Sequence, residues 1–420
     1  MILLYIYIKK LLWFGVTILL ILSSIYFSLK LRFSQLNIKR IKNSLKANNG
    51  SKIFDTLFLS LGGRIGVGSL AGTALAIYIG GSGTIFWLFI TSILTSILAY
   101  VETFLGNKYK VKSKDGIYHG GPSYYLKRGL NLKKISLLYA GLLIISYIFG
   151  FLGIQSNTIT ITLGNYINIS KYLISFTISF ITMIIIFGGT KEIIKVSNKI
   201  VPFMAILYVL SSIFIIIFNI SKLPNIFISI ISNAFKIKPF FSSFIPMIII
   251  GLQRGIFSSE SGLGTGAVAS SISDDNNYIR QGFIQVVGVH ISTIICILTA
   301  LVILISDLDI NNLNGIEITI LSFHKMLGVY GDFVIILSIL LFSFSTIITG
   351  YYYGESGLYF ILKKNIKLKL LVLKCITILS IFIGGIISAV KIWDFVDILV
   401  ALLAYINVIA LFLLRKEIFF

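Results

Sequence analysis

Two stretches of this chain set glycines and polar side chains inside apolar sequence. The first is Gly62-Gly63-Arg64-Ile65-Gly66-Val67-Gly68-Ser69-Leu70-Ala71-Gly72; the second runs from Arg254-Gly255 through Ser258-Ser259-Glu260-Ser261 to Gly262, Gly264 and Gly266. A glycine weakens a helix by roughly 1 kcal/mol relative to alanine, so the five between residues 62 and 72 argue against a continuous helix there. The chemistry such breaks can do is recognition: half-helix ends and freed backbone groups present partial charges to a solute inside a membrane. Close helix packing through Gly62 and Gly66, or Gly68 and Gly72, is the competing reading of the first stretch. The second resists it, because Ser258, Ser259, Glu260 and Ser261 would be costly facing lipid. Bond-making chemistry has little support. His119, His290 and His324 are the only histidines, with no helical metal-binding pair and no activated nucleophile, so an enzyme is not expected.

The elements that must hold these breaks are membrane spans. With 57% hydrophobic and 12% charged residues and a mean hydropathy of +0.97 over 420 residues, the chain exceeds what a soluble core needs. Apolar runs of about 20 residues, enough to cross a bilayer, recur near 11–29, 54–79, 84–106, 135–163, 171–189, 200–218, 244–272, 282–306, 331–353, 370–388 and 393–414. The expectation is an all-α polytopic protein of eleven helices forming one integral membrane domain over 1–420. The run at 11–29 lacks a small-x-small cleavage site, so it is read as a retained span. Cys296 and Cys375 both fall inside spans and carry neither a disulfide framework nor a zinc-like spacing. No cofactor is expected.

The net charge of +21 reports topology, and no nucleic-acid partner is implied. With the amino terminus outside, 26 of the 36 Lys and Arg fall in cytoplasmic segments and 8 outside, Arg64 and Arg254 lying within spans; this is the positive-inside pattern. The expected placement is a cell (cytoplasmic) membrane, with the amino terminus out and the carboxyl terminus in. Asp307, Asp309 and Glu317 mark one outer loop as acidic, while Lys222, Lys236 and Lys238 run against the rule. Asp394 and Asp397 are placed at the outer interface.

Setting aside residues 1–53, an extra amino-terminal helix and basic loop, leaves ten spans. The broken ones open each half: 54–218 and 244–414 are two five-helix repeats, and an odd number of spans obliges the second to run inverted.

At this point the residues resemble a known family, the alanine or glycine:cation symporters, also called sodium:alanine symporters. The resemblance rests on Leu31-Arg32-Phe33-Ser34-Gln35, the first break, Gly80-Gly81-Ser82-Gly83 and Asp115-Gly116-Ile117-Tyr118-His119-Gly120-Gly121-Pro122-Ser123-Tyr124-Tyr125. It continues through Arg254-Gly255-Ile256-Phe257-Ser258-Ser259-Glu260-Ser261-Gly262-Leu263-Gly264, Gln281-Gly282, Phe344-Ser345-Thr346 and Tyr352-Tyr353-Gly354-Glu355. It implies a leucine-transporter-like fold with two discontinuous helices and sodium-coupled import of small neutral amino acids by alternating access. The lipid bilayer is then the setting, and no obligate protein partner is implied.

On that basis the carboxylate of an amino acid suits half-helix amino ends and its ammonium suits unwound carbonyls. The expected substrate site comprises Gly66, Val67, Gly68, Ser69, Gly255, Ser258, Ser259 and Gly350. Sodium requires hard oxygen ligands, and the shared fold implies Ser345 and Thr346 with the backbone of Ile65 and Gly66. Arg64, Arg254 and Glu260 are read as gating or structural, with Arg254 and Glu260 pairing across the break or Glu260 capping helix-end amides. Val67 and Ser69 stand where the family commonly has Thr and Asn, Ser259 where it has Asn, and Gly350 where it has Trp or Asn. These departures suggest a pocket less polar on one wall and wider near Gly350, suited to a substrate bulkier than alanine. Proton coupling through Glu260 or Glu102, a transporter-shaped nutrient sensor and a channel are the rival readings.

Overall fold

The structure, a computed structural model, describes residues 2–46, 50–113, 116–167, 169–236, 244–310, 313, 315–362 and 366–418; Asp115 and Lys238 lie outside them. Helix α1 (Ile2–Lys30) leads into α2 (Ile38–Leu45), then α3 (Gly50–Arg64), a π-helical turn (Gly68–Gly72), α4 (Thr73–Gly80) and α5 (Gly83–Lys108). A two-residue hairpin pairs Val111 with His119 and Lys112 with Tyr118. After it come α6 (Pro122–Arg128), α7 (Lys133–Ile144), a second π turn (Ile145–Phe151), α8 (Leu152–Ile167), α9 (Lys171–Phe187), α10 (Thr190–Phe218) and α11 (Leu223–Ala234). The remainder is α12 (Ile245–Ser259), α13 (Thr265–Ser270), α14 (Tyr278–Ser306), α15 (Gly315–Leu327), α16 (Val329–Ile361), α17 (Ile366–Ile386) and α18 (Ala389–Leu413).

Among the described residues seven helices are long and apolar enough to cross a membrane. Shorter apolar helices cover Gly68–Gly80, Lys171–Phe187 and Ile245–Ser259, and the short ones include the segments beside the breaks. The first helix begins at Ile2, nine residues before the run read from hydropathy, which brings Lys9 into it. Four segments read as loops contain helices, α2 in the basic loop among them. Helix α11 lies against α5, where Trp87 Nε1 donates to the Ala234 carbonyl at 3.1 Å and Asn233 to Ser82 Oγ at 2.8 Å. Helix α6 starts with Pro122, whose fixed φ and missing N–H suit a first helical turn. Helix α15 covers the first π turn, with Thr319 Oγ1 donating to the Leu70 carbonyl at 3.4 Å.

Close approach between spans is made by small residues, as expected where lipid gives no hydrophobic push between helices. A Cβ on Gly384 of α17 would collide with the backbone of Gly153 in α8, and one on Gly282 of α14 would enter the ring of Tyr100 in α5.

The breaks are narrower than the sequence suggested. Helix α3 runs through Gly62 and Gly63 to Arg64 and opens only at Ile65 and Gly66. Likewise Arg254 and Gly255 are helical, and α12 opens at Glu260. The second break reverses through left-handed backbone at Glu260 (φ 53), Gly262 (φ 84) and Gly264 (φ 88). Glycine meets this geometry without a Cβ penalty, and at Gly264 a Cβ would also strike the Pro122 ring.

Candidate functional site

The freed backbone groups at both breaks are answered by side chains from other helices, so the openings are held in a defined shape. At the first, the Val67 N–H donates to Gln155 Oε1 of α8 at 3.1 Å. Thr346 Oγ1 of α16 donates to the Gly62 carbonyl at 2.8 Å, with Ser345 Oγ at 3.4 Å from the same oxygen. At the second, the Gly264 N–H donates to Glu102 Oε2 at 3.0 Å, Asn407 Nδ2 to the Gly262 carbonyl at 2.8 Å, and the Tyr139 hydroxyl to the Leu263 carbonyl.

The two broken helices meet side by side. Ser69 Oγ and Ser258 Oγ are 2.7 Å apart, and the Cys296 thiol of α14 lies 3.1 Å from Ser258 Oγ. Gly68 lies under the Phe257 ring and Gly66 under Thr346 Oγ1 and the Gln155 amide; a Cβ on Gly68 would meet the ring at 2.6 Å, and one on Gly66 would meet Thr346 Oγ1 at 2.5 Å. Gly66, Val67, Gly68, Ser69, Ser258, Ser345 and Thr346 thus lie around the first break and its junction with α12. Ser259 accepts from the Ser261 N–H at 3.4 Å, so it braces the turn locally.

Four expectations are corrected. Gly255, expected in the substrate site, faces α5, where a Cβ would meet Ser92 Oγ at 2.8 Å, so it serves helix packing. Beside Gly350 the space is filled, since a Cβ would strike Leu152 and the Tyr147 ring, so no widening appears there. The carbonyl under Ser345 and Thr346 is that of Gly62, one helical turn before Gly66. Arg254 and Glu260 do not pair: α12 ends at Ser259, and the left-handed turn at Glu260 carries its carboxylate away from the helix face that holds Arg254.

Each of that pair has other partners. Arg254 is 6% exposed, lies 5.1 Å from the centroid of the Trp393 ring and reaches Asp397 Oδ2 at 3.4 Å. Asp397, placed at the outer interface from sequence, is buried at 1% exposure and is also paired with Lys9 at 2.8 Å. Lys9 further holds the more exposed Asp394 at 2.6 Å. Glu260 turns inward and accepts from the hydroxyls of Tyr147 (2.5 Å), Thr265 (2.9 Å) and Tyr353 (3.3 Å). Arg64, 1% exposed, donates to the Gln285 carbonyl at 3.1 Å.

A cavity of about 810 Å³, lined among others by Ala71, Leu75, Arg254, Trp393, Asp394 and Asp397, leads toward the breaks. Its inner end adjoins stacked rings: Phe257 packs on Trp393 at 4.6 Å and on Phe151 at 4.7 Å, and Phe151 on Tyr147 at 4.5 Å. Sequence reasoning missed Gln155, Phe257 as a site residue, and Cys296. A signal for the first existed: Gln155-Ser156-Asn157-Thr158 is a polar run inside an apolar span.

Two interrupted helices meeting inside an all-helical membrane bundle, with a vestibule leading toward them, define a secondary transporter. The chain belongs to the sodium:alanine symporter family, whose model matches residues 3–420; it is a membrane transporter and not an enzyme. It is 34% identical over 423 aligned residues to the probable sodium/glutamine symporter GlnT of Bacillus subtilis strain 168, covering 98% of this chain and 88% of that one. It is 33% identical to the putative sodium/proton-dependent alanine carrier protein YrbD of the same organism, covering 93% and 85%. A solved Na+-coupled sialic acid symporter, in a substrate-bound outward-open state, superposes with a TM-score of 0.60 at 15% identity over 97% of this chain and 87% of that one. At that identity the likeness speaks for the leucine-transporter-like fold alone.

Proposed function

We propose that this protein is a sodium-coupled symporter that imports small neutral amino acids by alternating access. The observation that carries the proposal is the meeting of the two breaks at Ser69 and Ser258, beside hydroxyls of α16 that converge on a carbonyl of the first broken helix. In this reading 54–218 and 244–414 are inverted five-helix repeats behind an extra helix in 1–53, eleven spans in all. The substrate carboxylate is received at the first break, around Gly66, Val67, Gly68 and Ser69, where a helix amino end carries partial positive charge and the Gln155 amide now holds the Val67 N–H. Ser258 and Gln155 supply polar contacts, and Phe257 and Leu152, the latter filling the space beside Gly350, set the size of the apolar wall. The sodium site combines Ser345 and Thr346 hydroxyls with carbonyls of Gly62, Ile65 and Gly66, all hard oxygen donors. Arg254, stacked on Trp393 and paired with Asp397, closes the vestibule side.

Family membership and the relatives' names support a cation-coupled amino-acid substrate, and they differ between alanine and glutamine. The test is uptake in proteoliposomes with sodium and proton gradients imposed separately and a panel of neutral amino acids as competitors. The expected result is uphill accumulation of alanine or a slightly larger neutral amino acid under an inward sodium gradient. Mere equilibration would indicate a channel, binding without flux a sensor, and accumulation driven by a proton gradient alone a proton symporter; each would overturn the proposal.

A further inference from the structure

The helix that joins the extra amino-terminal span to the first broken helix carries a pattern that the transport site does not use. Helix α2 sets Ile38, Ile41 and Leu45 at one spacing and repeats that spacing one residue on with Lys39, Lys42 and Lys46. Residues i, i+3 and i+7 of a helix lie within roughly 60° of one another, so these are two stripes side by side, one apolar and one cationic. Helix α2 packs on α14; Ser44 is buried, and Ile41 and Leu45 are half-buried. Ile38 continues the apolar stripe outward and is 79% exposed. Beside it Lys39, Lys42 and Lys46 are all exposed.

The charges on this segment are unanswered by the protein. Lys30, Arg32, Lys39, Arg40, Lys42 and Lys46 form no ion pair among the described residues, and no Asp or Glu occurs before Asp55. Topology accounts for an excess of basic residues here, yet it does not require them to line up beside an apolar edge. A membrane surface meets both edges at once. A soluble acidic partner would answer the lysines and leave Ile38, with the exposed Phe33 and Leu36, in water. Position agrees with this. The chain leaves span α1 at Lys30, and Gln35 Nε2 donates to Ser28 Oγ at 2.7 Å, which folds the connection back against the end of that span.

We propose that α2 is an interfacial helix that binds anionic phospholipid, with Ile38 seated among the acyl chains and Lys39, Lys42 and Lys46 on the headgroup phosphates. Cations at the surface draw anionic lipid electrostatically, and the apolar edge fixes the depth of the helix. The consequence reaches the transport site through the chain. Helix α2 leads into α3, whose base is tied to α14 by Thr56 Oγ1 donating to Gln281 Oε1 at 3.2 Å and whose far end opens at the first break. Lipid held on α2 thus anchors the base of the first broken helix. The surface goes beyond the symport reading and can be tested without transport.

Tryptophan quenching by brominated lipid provides that test. Full-length Ile38→Trp is reconstituted in vesicles of phosphatidylcholine and phosphatidylglycerol, one lipid or the other carrying brominated chains, and the wild type corrects for Trp13, Trp87 and Trp393. Both lipids should quench, with phosphatidylglycerol enriched around position 38 at least about threefold over its share of the vesicle, and less so as salt is added. Adding Lys39→Gln, Lys42→Gln and Lys46→Gln should return the enrichment to the bulk share while quenching persists. Absence of quenching would put α2 in water or on another protein. Equal enrichment of the two lipids, or enrichment that survives the three substitutions, would remove the anionic site, and displacement by inorganic phosphate at constant ionic strength would assign it to a free anion. Each of these outcomes would overturn the proposal. Uptake by the wild type should also rise with the phosphatidylglycerol fraction, and uptake by the triple variant should not; a wild type indifferent to lipid composition would overturn the anchoring of α3. Should no uptake occur at all, the symport reading fails and the quenching decides alone.

Discussion

Thr346 Oγ1 lies within hydrogen-bond distance of two carbonyls, Gly62 at 2.8 Å and Phe342 of its own helix at 3.0 Å, so one hydroxyl joins α16 to the first broken helix. If its oxygen also serves a sodium ion, Thr346→Ala removes a ligand while sparing most of the packing, and Thr346→Ser restores it. The expected outcome is a sodium half-saturation raised at least about tenfold in the Ala variant, roughly 1.4 kcal/mol of binding, with near-normal values for Ser. Sodium titration of uptake checks this; equal sodium dependence in all three proteins would remove Thr346 from the ion site. Gln155 makes a different case. In Gln155→Leu the Val67 N–H becomes an unpaired buried donor, costing about 1–3 kcal/mol. Thermal unfolding in detergent should fall, and substrate affinity with it; unchanged affinity would place the substrate away from Val67. Residue types announced the hydroxyls of Ser69, Ser258, Ser345 and Thr346. The Gln155 contact joins residues 88 positions apart, and nothing in the spacing of either segment encodes that reach.

At the scale of elements the glycine pattern located both breaks but drew them too wide. Gly62, Gly63 and Gly255 are helical and make room for Thr349, Tyr353 and Ser92, whereas Gly262 and Gly264 supply positive φ. Composition cannot separate these uses, since a glycine needed for close approach and one needed for a left-handed turn look alike. Substitution can. Gly264→Ala forces a Cβ into a left-handed position and against Pro122, a strain of about 1–3 kcal/mol from the backbone alone, and should lower the unfolding temperature and abolish uptake. Gly255→Ala only presses on the Ser92 hydroxyl, and should retain measurable uptake. The reverse order of severity would mean that the turn is not where the helix opens. The helices α2, α6, α11 and α15 were illegible as helices because a hydropathy reading looks for long apolar runs. These are short, and α11 and α15 gain their burial by lying on α5 and on the first π turn.

For the whole molecule, the strongest statement available in the sequence is the distribution of positive charge, and it is a statement about orientation. The segments assigned to the cytoplasm hold 26 of the 36 Lys and Arg, and the structure places two of them together at the end of α5: Lys108 pairs with Glu417 beyond α18 at 3.1 Å, and Lys110 donates to the Ser273 carbonyl at 2.7 Å. The opposite end carries Asp332, which is paired with His324 of α15 at 2.8 Å and accepts from Tyr166 at 3.1 Å. Basic residues resist translocation against the membrane potential, so the first end is expected inside the cell and the vestibule outside. Single cysteines placed in a background lacking Cys296 and Cys375 would read this directly. Asn43→Cys, on exposed α2, should react with an impermeant maleimide only after the membrane is opened. Tyr330→Cys, at a position 84% exposed, should react in intact cells. Labelling with the opposite sidedness would invert the molecule. An inward sodium gradient would then meet the Glu102 end first, and the vestibule lined by Arg254 and Asp397 would become the exit, so the same two broken helices would have to be read as an export path.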